Sequence, residues 1–385
     1  MDILSYRLED IANSFVYGSM PKNELIAEKG YPIFSGYRYV GFYPKYNISN
    51  RSIIVVARGV GGTGDVKIVE AKTYLTNLSI ALDINQKLAN IDYLFYYLNA
   101  QGLRYLDTGA AQSQITITNL KRHKVYIPDL SIQTRIASIL SAYDNLIENN
   151  NKRIRLLEQM AENLYKEWFV RFRFPGYEKA EFENGLPKEW PIMKLGVFIK
   201  FERGVGYGSK DIEDGENVLL SMNNIRPYGG FIRDYSRPYS GKYKEFQKVR
   251  KGDLIMSITD MTQDRRIIGY TGIVPSGKDN RIICTHLIKL SSEISHTYFL
   301  NGLFNYSNLS RIIAERATGA NVLGLTADIL KGVKTLLPPT ELQSMYVTKV
   351  TPIIEECFSL QDANDNLARQ RDLLLPRLMS GKLEV

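Results

Sequence analysis

The feature that most constrains this chain is that it repeats itself. Thr108-Gly109-Ala110 returns as Thr318-Gly319-Ala320, and the same offset aligns Thr116 with Thr326 and Leu120-Lys121 with Leu330-Lys331. The match runs on without a gap through Lys124 and Lys334, Pro128 and Pro338, and Gln133 and Gln343, giving nine identities in 26 positions. Leu157 and Leu164 fall on Leu367 and Leu374 at that spacing. A repeat this long means one structural plan used twice. Earlier parts of the halves match more loosely. Ile53-Ile54-Val55-Val56-Ala57 resembles Asp253-Leu254-Ile255-Met256-Ser257, and Tyr74–Leu78 resembles Ile282–His286, but the loops between them differ in length. A common frame with divergent loops is expected where loops carry function.

Each half ends in a helix. From Ser131 onward, apolar residues recur at the three- and four-residue spacing of an amphipathic helix. Ile147, Ile154 and Trp168 lie on one seven-residue register, and Leu157 and Leu164 on another, which is coiled-coil spacing. In the second half Ile353, Leu360, Leu367 and Leu374 also step by seven. Pro128 and Pro338-Pro339 stand where a helix can start, while Pro352 predicts a bend or break early in the second one. About forty residues give rods of roughly 60 Å. The pattern predicts a mixed α/β (α+β) chain with an internal pseudo-two-fold. Residues 1–130 form one globular unit, 131–172 a long helix, 173–190 a linker, 191–340 a second globular unit and 341–385 a second long helix. The two helices pair antiparallel and set the two heads apart.

Length alone suggests two or three folded units in 385 residues. No window approaches eighteen consecutive apolar residues, so no membrane span is expected. The first residues carry acids early and lack the pattern of a secretory signal. Two cysteines, Cys284 and Cys357, are too few for a disulfide framework and suit a cytoplasmic location. With three histidines they show no ligand spacing, so no metal is expected. The net charge of +8 is unevenly placed: residues 1–130 hold 14 bases against 11 acids and residues 185–340 hold 22 against 15, whereas the helical segments are balanced or acidic. Two basic regions point to a polyanion met twice.

Catalytic motifs are absent or misleading. Gly59-Val60-Gly61-Gly62-Thr63-Gly64 matches a dinucleotide fingerprint, but the residues after it alternate like a strand, so a hairpin turn is expected. Pro338-Pro339 lacks the flanks of a methyltransferase motif, and no carboxylate and lysine set gathers for a nuclease. Tyr93, Tyr96 and Tyr97 lie at helical spacing and read as core. What remains is basic, amide and aromatic loop chemistry. The candidates are Arg38, Tyr39, Arg58, Lys67, Gln112 and Gln114 in the first unit. In the second they are Arg203, Tyr207, Lys210, Asn223, Asn224, Arg226, Arg265, Arg266 and Asn321. Arg and Lys suit guanine edges or phosphates, and Asn and Gln can pair with adenine.

The duplicated run Thr108-Gly109-Ala110…Ile127-Pro128, its second copy ending Leu337-Pro338-Pro339-Thr340-Glu341-Leu342-Gln343, and the helix ends Leu164-Tyr165-Lys166-Glu167-Trp168-Phe169 and Leu373–Gly381 resemble the specificity subunits of type I restriction–modification enzymes. So does Gly185-Leu186-Pro187-Lys188-Glu189-Trp190 at the entry to the second half. The resemblance spans the chain. It implies two target-recognition domains, each reading half of a bipartite, asymmetric site in double-stranded DNA. The helices would fix the gap and dock two modification (methyltransferase) subunits, and restriction/translocase subunits could join. The chain itself would be a non-catalytic DNA-binding subunit, not an enzyme, and would hold no cofactor. S-adenosylmethionine, ATP and Mg would belong to partner subunits. The alternatives are a coiled-coil scaffold protein and a self-sufficient DNA methyltransferase or nuclease.

Overall fold

The computed structural model describes residues 3–36, 38–59, 62–109, 113–233, 235–277 and 280–383. Two compact units form, one from residues 1–149 with 364–385 and the other from residues 150–363. Each long helix therefore contributes to both units, whereas the sequence pattern gives each helix a segment of its own.

The first unit begins with β1 (Leu4–Arg7), α1 (Leu8–Ile11) and β2 (Ala12–Tyr17). Then come β3 (Tyr31–Ser35), β4 (Arg38–Tyr43), β5 (Ser52–Val56), β6 (Val66–Val69), β7 (Tyr74–Leu75) and β8 (Ser79–Ile84). Helices α2 (Ile91–Gln101) and α3 (Ile117–Arg122), strand β9 (Lys124–Ile127) and the start of α4 (Leu130–Tyr165) complete it. The main sheet has the order β2-β8-β5-β6 and is antiparallel throughout. Strand β5 is its apolar centre, because both of its faces are covered. Ile53 and Val55 join the core that contains α2, and Ile54 joins a second cluster with Phe34, Val69, Leu75 and Ala81. Tyr93, Tyr96 and Tyr97 of α2 are buried as their spacing predicts. Asn90 caps that helix, its side chain accepting from the amides of Asp92 and Tyr93 at 3.0 Å each. The glycine-rich run after β5 leads into antiparallel β6, so a hairpin and not a nucleotide fold follows it.

The second unit opens with the end of α4, a π-turn at Lys166–Val170, and the small hairpin of β10 (Phe182–Glu183) and β11 (Leu186–Pro187). Its frame is β12 (Ile192–Lys194), α5 (Leu195–Phe198), β13 (Lys200–Arg203), β14 (Asn217–Leu220), β15 (Arg237–Tyr239) and β16 (Lys248–Val249). Strands β17 (Leu254–Ser257), β18 (Thr259–Asp260), β19 (Thr271–Ile273), β20 (Arg281–Ile283) and β21 (Leu287–Ser291) follow. Helices α6 (Thr297–Asn305) and α7 (Leu309–Glu315), strand β22 (Leu323–Gly324), helix α8 (Ala327–Gly332), strand β23 (Lys334–Leu336) and α9 (Thr340–Met379) end the chain. The segment expected as a linker is ordered here, with Phe174 and Trp190 buried in the unit's main core.

The repeat is structural as well as textual. The second main sheet has the order β13-β21-β17-β19, so first, last and central strands and a hairpin partner recur in the same places. Thr116 and Thr326 cap α3 and α8 by accepting from Asn119 N and Ile329 N. Gln133 and Gln343 each donate to the carbonyl five residues earlier, of Pro128 and Pro338, at 2.8 Å. Leu8 N and Leu195 N each donate to the residue just before the strand that leads into a long helix, His123 and Val333.

Helix α9 runs unbroken through Pro352, which corrects the expected interruption. A proline inside a helix removes one backbone bond and costs about 3 kcal/mol. Burial of Tyr346, Val350, Phe358 and Leu360 along the same helix, each side chain contributing roughly 1.5–3 kcal/mol, outweighs that loss. In the first unit α4 and α9 meet through Ile136, Ala137 and Leu140 with Leu378, and Leu374 packs against them. Asp144 bonds both Arg371 and the Tyr96 hydroxyl. In the second unit Ile154, Leu157, Cys357 and Leu360 cluster, and Arg153 pairs with Glu356 at 2.9 Å. Within each unit these pairings are antiparallel. Leu164, Trp168 and Ile353 join the second unit's main core instead of a helix seam, while Ile147 and Leu367 are half-buried.

Gly18 and Gly204 hold corresponding places where two segments cross. A Cβ on Gly18 would lie 2.2 Å from the Thr76 carbonyl oxygen, and one on Gly204 would lie 2.1 Å from that of Cys284. Backbone cannot step aside, so Gly18→Ala and Gly204→Ala are each expected to cost at least about 1–3 kcal/mol. Gly206→Ala, with nothing within 4 Å, is the control. Thermal unfolding checks this: equal melting temperatures for Gly204→Ala and Gly206→Ala would show that the crossing is not tight.

Candidate nucleic-acid interface

In both units a residue that follows the duplicated Thr-Gly pair is fastened to the end of the central strand. Ile115 N donates to the Ala57 carbonyl at 2.9 Å, and Leu325 N donates to the Ile258 carbonyl at 2.9 Å. Ala57 N and Ile258 N in turn donate to the Leu78 and His286 carbonyls. One step further out, Arg58 forms a bridge with Gln114, and Thr259 pairs with Gly324. Three backbone segments are thus held side by side at the same end of each sheet. The frame is the same, and the side chains it presents are different.

Two aspartates that the sequence reading passed over organise these ends. Asp107 accepts from the Ser113 hydroxyl and from the amides of Gly109 and Gln114, the latter two at 3.0 and 2.7 Å. The Ser113 hydroxyl, with those amides, holds the Asp107 carboxyl below the usual carboxylate range. Asp260 is buried and accepts from Thr262 N and Oγ1 at 2.8 Å and from Ile267 N at 3.2 Å, so it shapes the loop from 260 to 267. Asp107 stands immediately before the repeated Thr-Gly, a position from which an acid can bond the amides of the turn that follows. That spacing was the available signal. Asp260 carried the like signal of an acid two residues before Thr262, without a repeated motif to draw attention to it.

The candidates sort by what these frames do with them. Arg58 is exposed at the fastening point, and Lys67 is exposed on β6 of the same sheet. Gln114 is half-buried, with its backbone N–H donating to Asp107. Gln112 lies outside the described residues. Arg38 and the half-exposed Tyr39 are on β4, in the separate three-stranded sheet β4-β3-β7, where the Tyr39 ring meets the edge of Phe34. In the second unit Arg265, Arg266 and Asn321 are brought together. The first two are exposed on the Asp260 loop, and Gln263 of that loop donates to the Ala320 carbonyl beside Asn321 at 3.0 Å. Arg266 also pairs with Asp264 at 2.9 Å. Arg203 donates to the Thr285 carbonyl at 3.3 Å, next to His286, whose Nδ1 lies 3.1 Å from Thr259 Oγ1. Asn223 and Lys210 are exposed, and Tyr207 packs partly on an apolar cluster.

Two candidates are engaged within the fold. Asn224 is buried, its amide donating to the Ile232 and Tyr235 carbonyls and its oxygen accepting from Ser221 N. A side chain so consumed has nothing left for a base edge. Arg226 places both terminal nitrogens on Glu158, at 3.0 and 3.1 Å, and its Nε on the Gly229 carbonyl at 2.9 Å.

The type I restriction modification DNA specificity domain matches residues 2–159. The MjaIX specificity subunit of Methanocaldococcus jannaschii is 24% identical over 309 residues, covering 76% of this chain and 69% of its own length. The MjaVIII specificity subunit of the same organism is 22% identical over 88% of this chain and 82% of its own. The S subunit of a type I restriction–modification system from M. genitalium superposes with a TM-score of 0.64 at 18% identity, over 98% of this chain and 96% of that one. Over residues 2–159 the chain matches the specificity domain, and along most of its length it is similar to type I specificity subunits. The fold likeness covers both halves, and the fastened loop ends are where two sets of exposed polar side chains are held beside rigid strands. No helix among the described residues is long and apolar enough to cross a membrane.

If Asp107 is the tether of the first loop, Asp107→Ala should speed amide hydrogen exchange at Gly109 and Gln114 several-fold and leave the exchange of β5 unchanged. Because the folded carboxyl titrates lower than a free one at about 4, the tether is complete above that pH and is lost only as pH falls through the lower folded value. Exchange at those two amides that does not respond to the substitution would remove the tether.

Proposed function

We propose that this chain is a type I specificity subunit and that each of its units reads one half of a bipartite, asymmetric duplex site. The observation that carries the reading is the unlike chemistry on a like frame. Where the first unit pairs Arg58 with Gln114, the second pairs Thr259 with Gly324, at the same place on the same fastening. Two identical readers would require a symmetric site, and two differently furnished ones read two different halves. Arg58, Gln114 and Lys67 serve the first half in this reading, and Arg265, Arg266, Asn321 and Arg203 serve the second. Arginine forks suit guanine edges and phosphates, and the amides suit adenine.

In the same proposal the long helices fix the gap between half-sites and dock two modification subunits. Leu156 and Met160 stand 62% and 55% exposed on α4, and Leu146 and Leu373 are similarly exposed in the first unit. Side chains of this kind on a helix surface suit a protein partner more than water. The chain itself supplies recognition and no catalysis, works in the cytoplasm and carries no cofactor. S-adenosylmethionine for adenine methylation comes with the modification subunits, and ATP and Mg come with restriction subunits where these join.

Co-expression with the adjacent modification subunit, followed by mapping of methylated adenines, tests this. One bipartite motif with a fixed gap is expected, and replacing residues 1–130 with those of a relative should change one half only. Arg58→Ala should alter the first half alone. If Arg58 touches a phosphate, the slope of log K against log salt falls by about 0.9. A methylation pattern that survives deletion of the chain would overturn the proposal.

A further inference from the structure

We propose that Arg226 is a positioning residue: it locks the reading loops of the second unit onto the helical stem, as one of three ionic struts that confine methylation to a single gap length. The inference rests on the bipartite reading above and adds the device that holds one reader in place.

The stem side of the device is three carboxylates, Glu158 on α4 and Glu355 and Asp362 on α9. The latter two stand one heptad apart and therefore on one helix face. Each receives a base from a different part of the globular layer of the same unit. Glu158 takes the bidentate fork of Arg226 at 3.0 and 3.1 Å. Asp362 takes Arg233 at 2.5 Å and the Ser276 hydroxyl at 2.7 Å. Glu355 takes Lys251 at 2.7 Å and the Tyr298 hydroxyl at 2.6 Å.

Arg226 differs from the other two in being joined directly to the reading surface. Its Nε holds the Gly229 carbonyl, and a Cβ on Gly230 would lie 2.7 Å from its Nη2, so the guanidinium sits flush on its own loop. That loop is tightly wound, with Tyr228, Gly229 and Gly230 all at positive φ. Tyr228 N then donates to the Arg266 carbonyl at 2.8 Å, inside the loop that presents Arg265 and Arg266. The path from stem to reading loop is therefore Glu158, Arg226, the 226–230 turn and Arg266. Exposed ion pairs add little to global stability. A fork held at three nitrogens instead fixes direction, because a planar guanidinium satisfies both carboxylate oxygens in only one orientation.

The test uses the complete complex with its modification subunits and duplexes in which the two half-sites are separated by a series of gaps. The wild-type complex should methylate at one gap. Arg226→Ala and Glu158→Ala should each raise methylation several-fold at gaps one base pair longer or shorter, and the double variant should be no worse than either single one. Melting temperatures of both single variants should stay near the wild-type value, since an exposed ion pair adds little to global stability, which separates lost positioning from poor folding. At the correct gap the salt slope of binding should not change. A slope lower by about 0.9 for Arg226→Ala, with Glu158→Ala binding as wild type, would make Arg226 a phosphate contact and end the proposal. So would an unaltered gap preference in both single variants. A wild-type complex indifferent to the gap would remove the bipartite reading itself, and the strut with it.

Discussion

The loop surface proposed to read DNA depends, in each unit, on one backbone hydrogen bond. Ile115 N to Ala57 O, and Leu325 N to Ile258 O, tie a polar loop to the end of a strand with no exposed face. A side chain can discriminate base edges only if its Cα is held to a fraction of an ångström, and loops alone do not provide that. Here the rigidity comes from β5 and β17, whose residues are buried throughout. The crossing segments at Gly18 and Gly204 then lie close enough that no side chain fits between them. Core packing thereby becomes positional accuracy at the surface.

The large-scale plan was legible because it rests on periodicity. An ungapped repeat, heptad spacing and an all-apolar strand report backbone geometry directly, and they gave the duplicated frame, the long helices and the hairpin after Gly59. The misreadings share a cause: partners that local sequence does not mark. Asn224 is polar and sits near a turn, as a base reader would, yet its amide is spent on Ile232 and Tyr235. Arg226 was indistinguishable from Arg265 until Glu158, 68 residues away, came into view. Pro352 obeyed local propensity on paper and lost to the burial of neighbouring core residues in the fold. Asp107 and Asp260 both had a local signal, an acid two residues before the amide it accepts from.

The charge pattern needs the same correction. The basic excess of residues 185–340 looks wholly available to a polyanion when counted along the chain. In the fold, Arg226, Arg233 and Lys251 are neutralised by carboxylates of the helical segments outside that stretch. The slightly acidic balance of residues 341–385 is thus partly a receptor for those bases and not simply a solvated face. Fewer cations remain for phosphate, which favours recognition that leans on a few well-placed side chains over one that leans on bulk charge.

Duplication also explains why the polar struts matter more than their energies suggest. Two copies of one frame start with identical loops and identical seats, and a bipartite reader needs the loops to diverge while the seats stay fixed. Threonine caps, the paired glutamines and the crossing glycines are retained in both units, so each frame holds its geometry regardless of loop content. The seats have diverged in kind: Tyr96 and Arg371 converge on Asp144 in the first unit, while Tyr298 and Lys251 converge on Glu355 in the second. In each case a tyrosine from the helix packed on the sheet and a base share one stem carboxylate. A pair of donors fixing one acceptor defines an orientation that a single contact leaves free to rotate, and orientation is what a reader of half-sites must keep when its loops change.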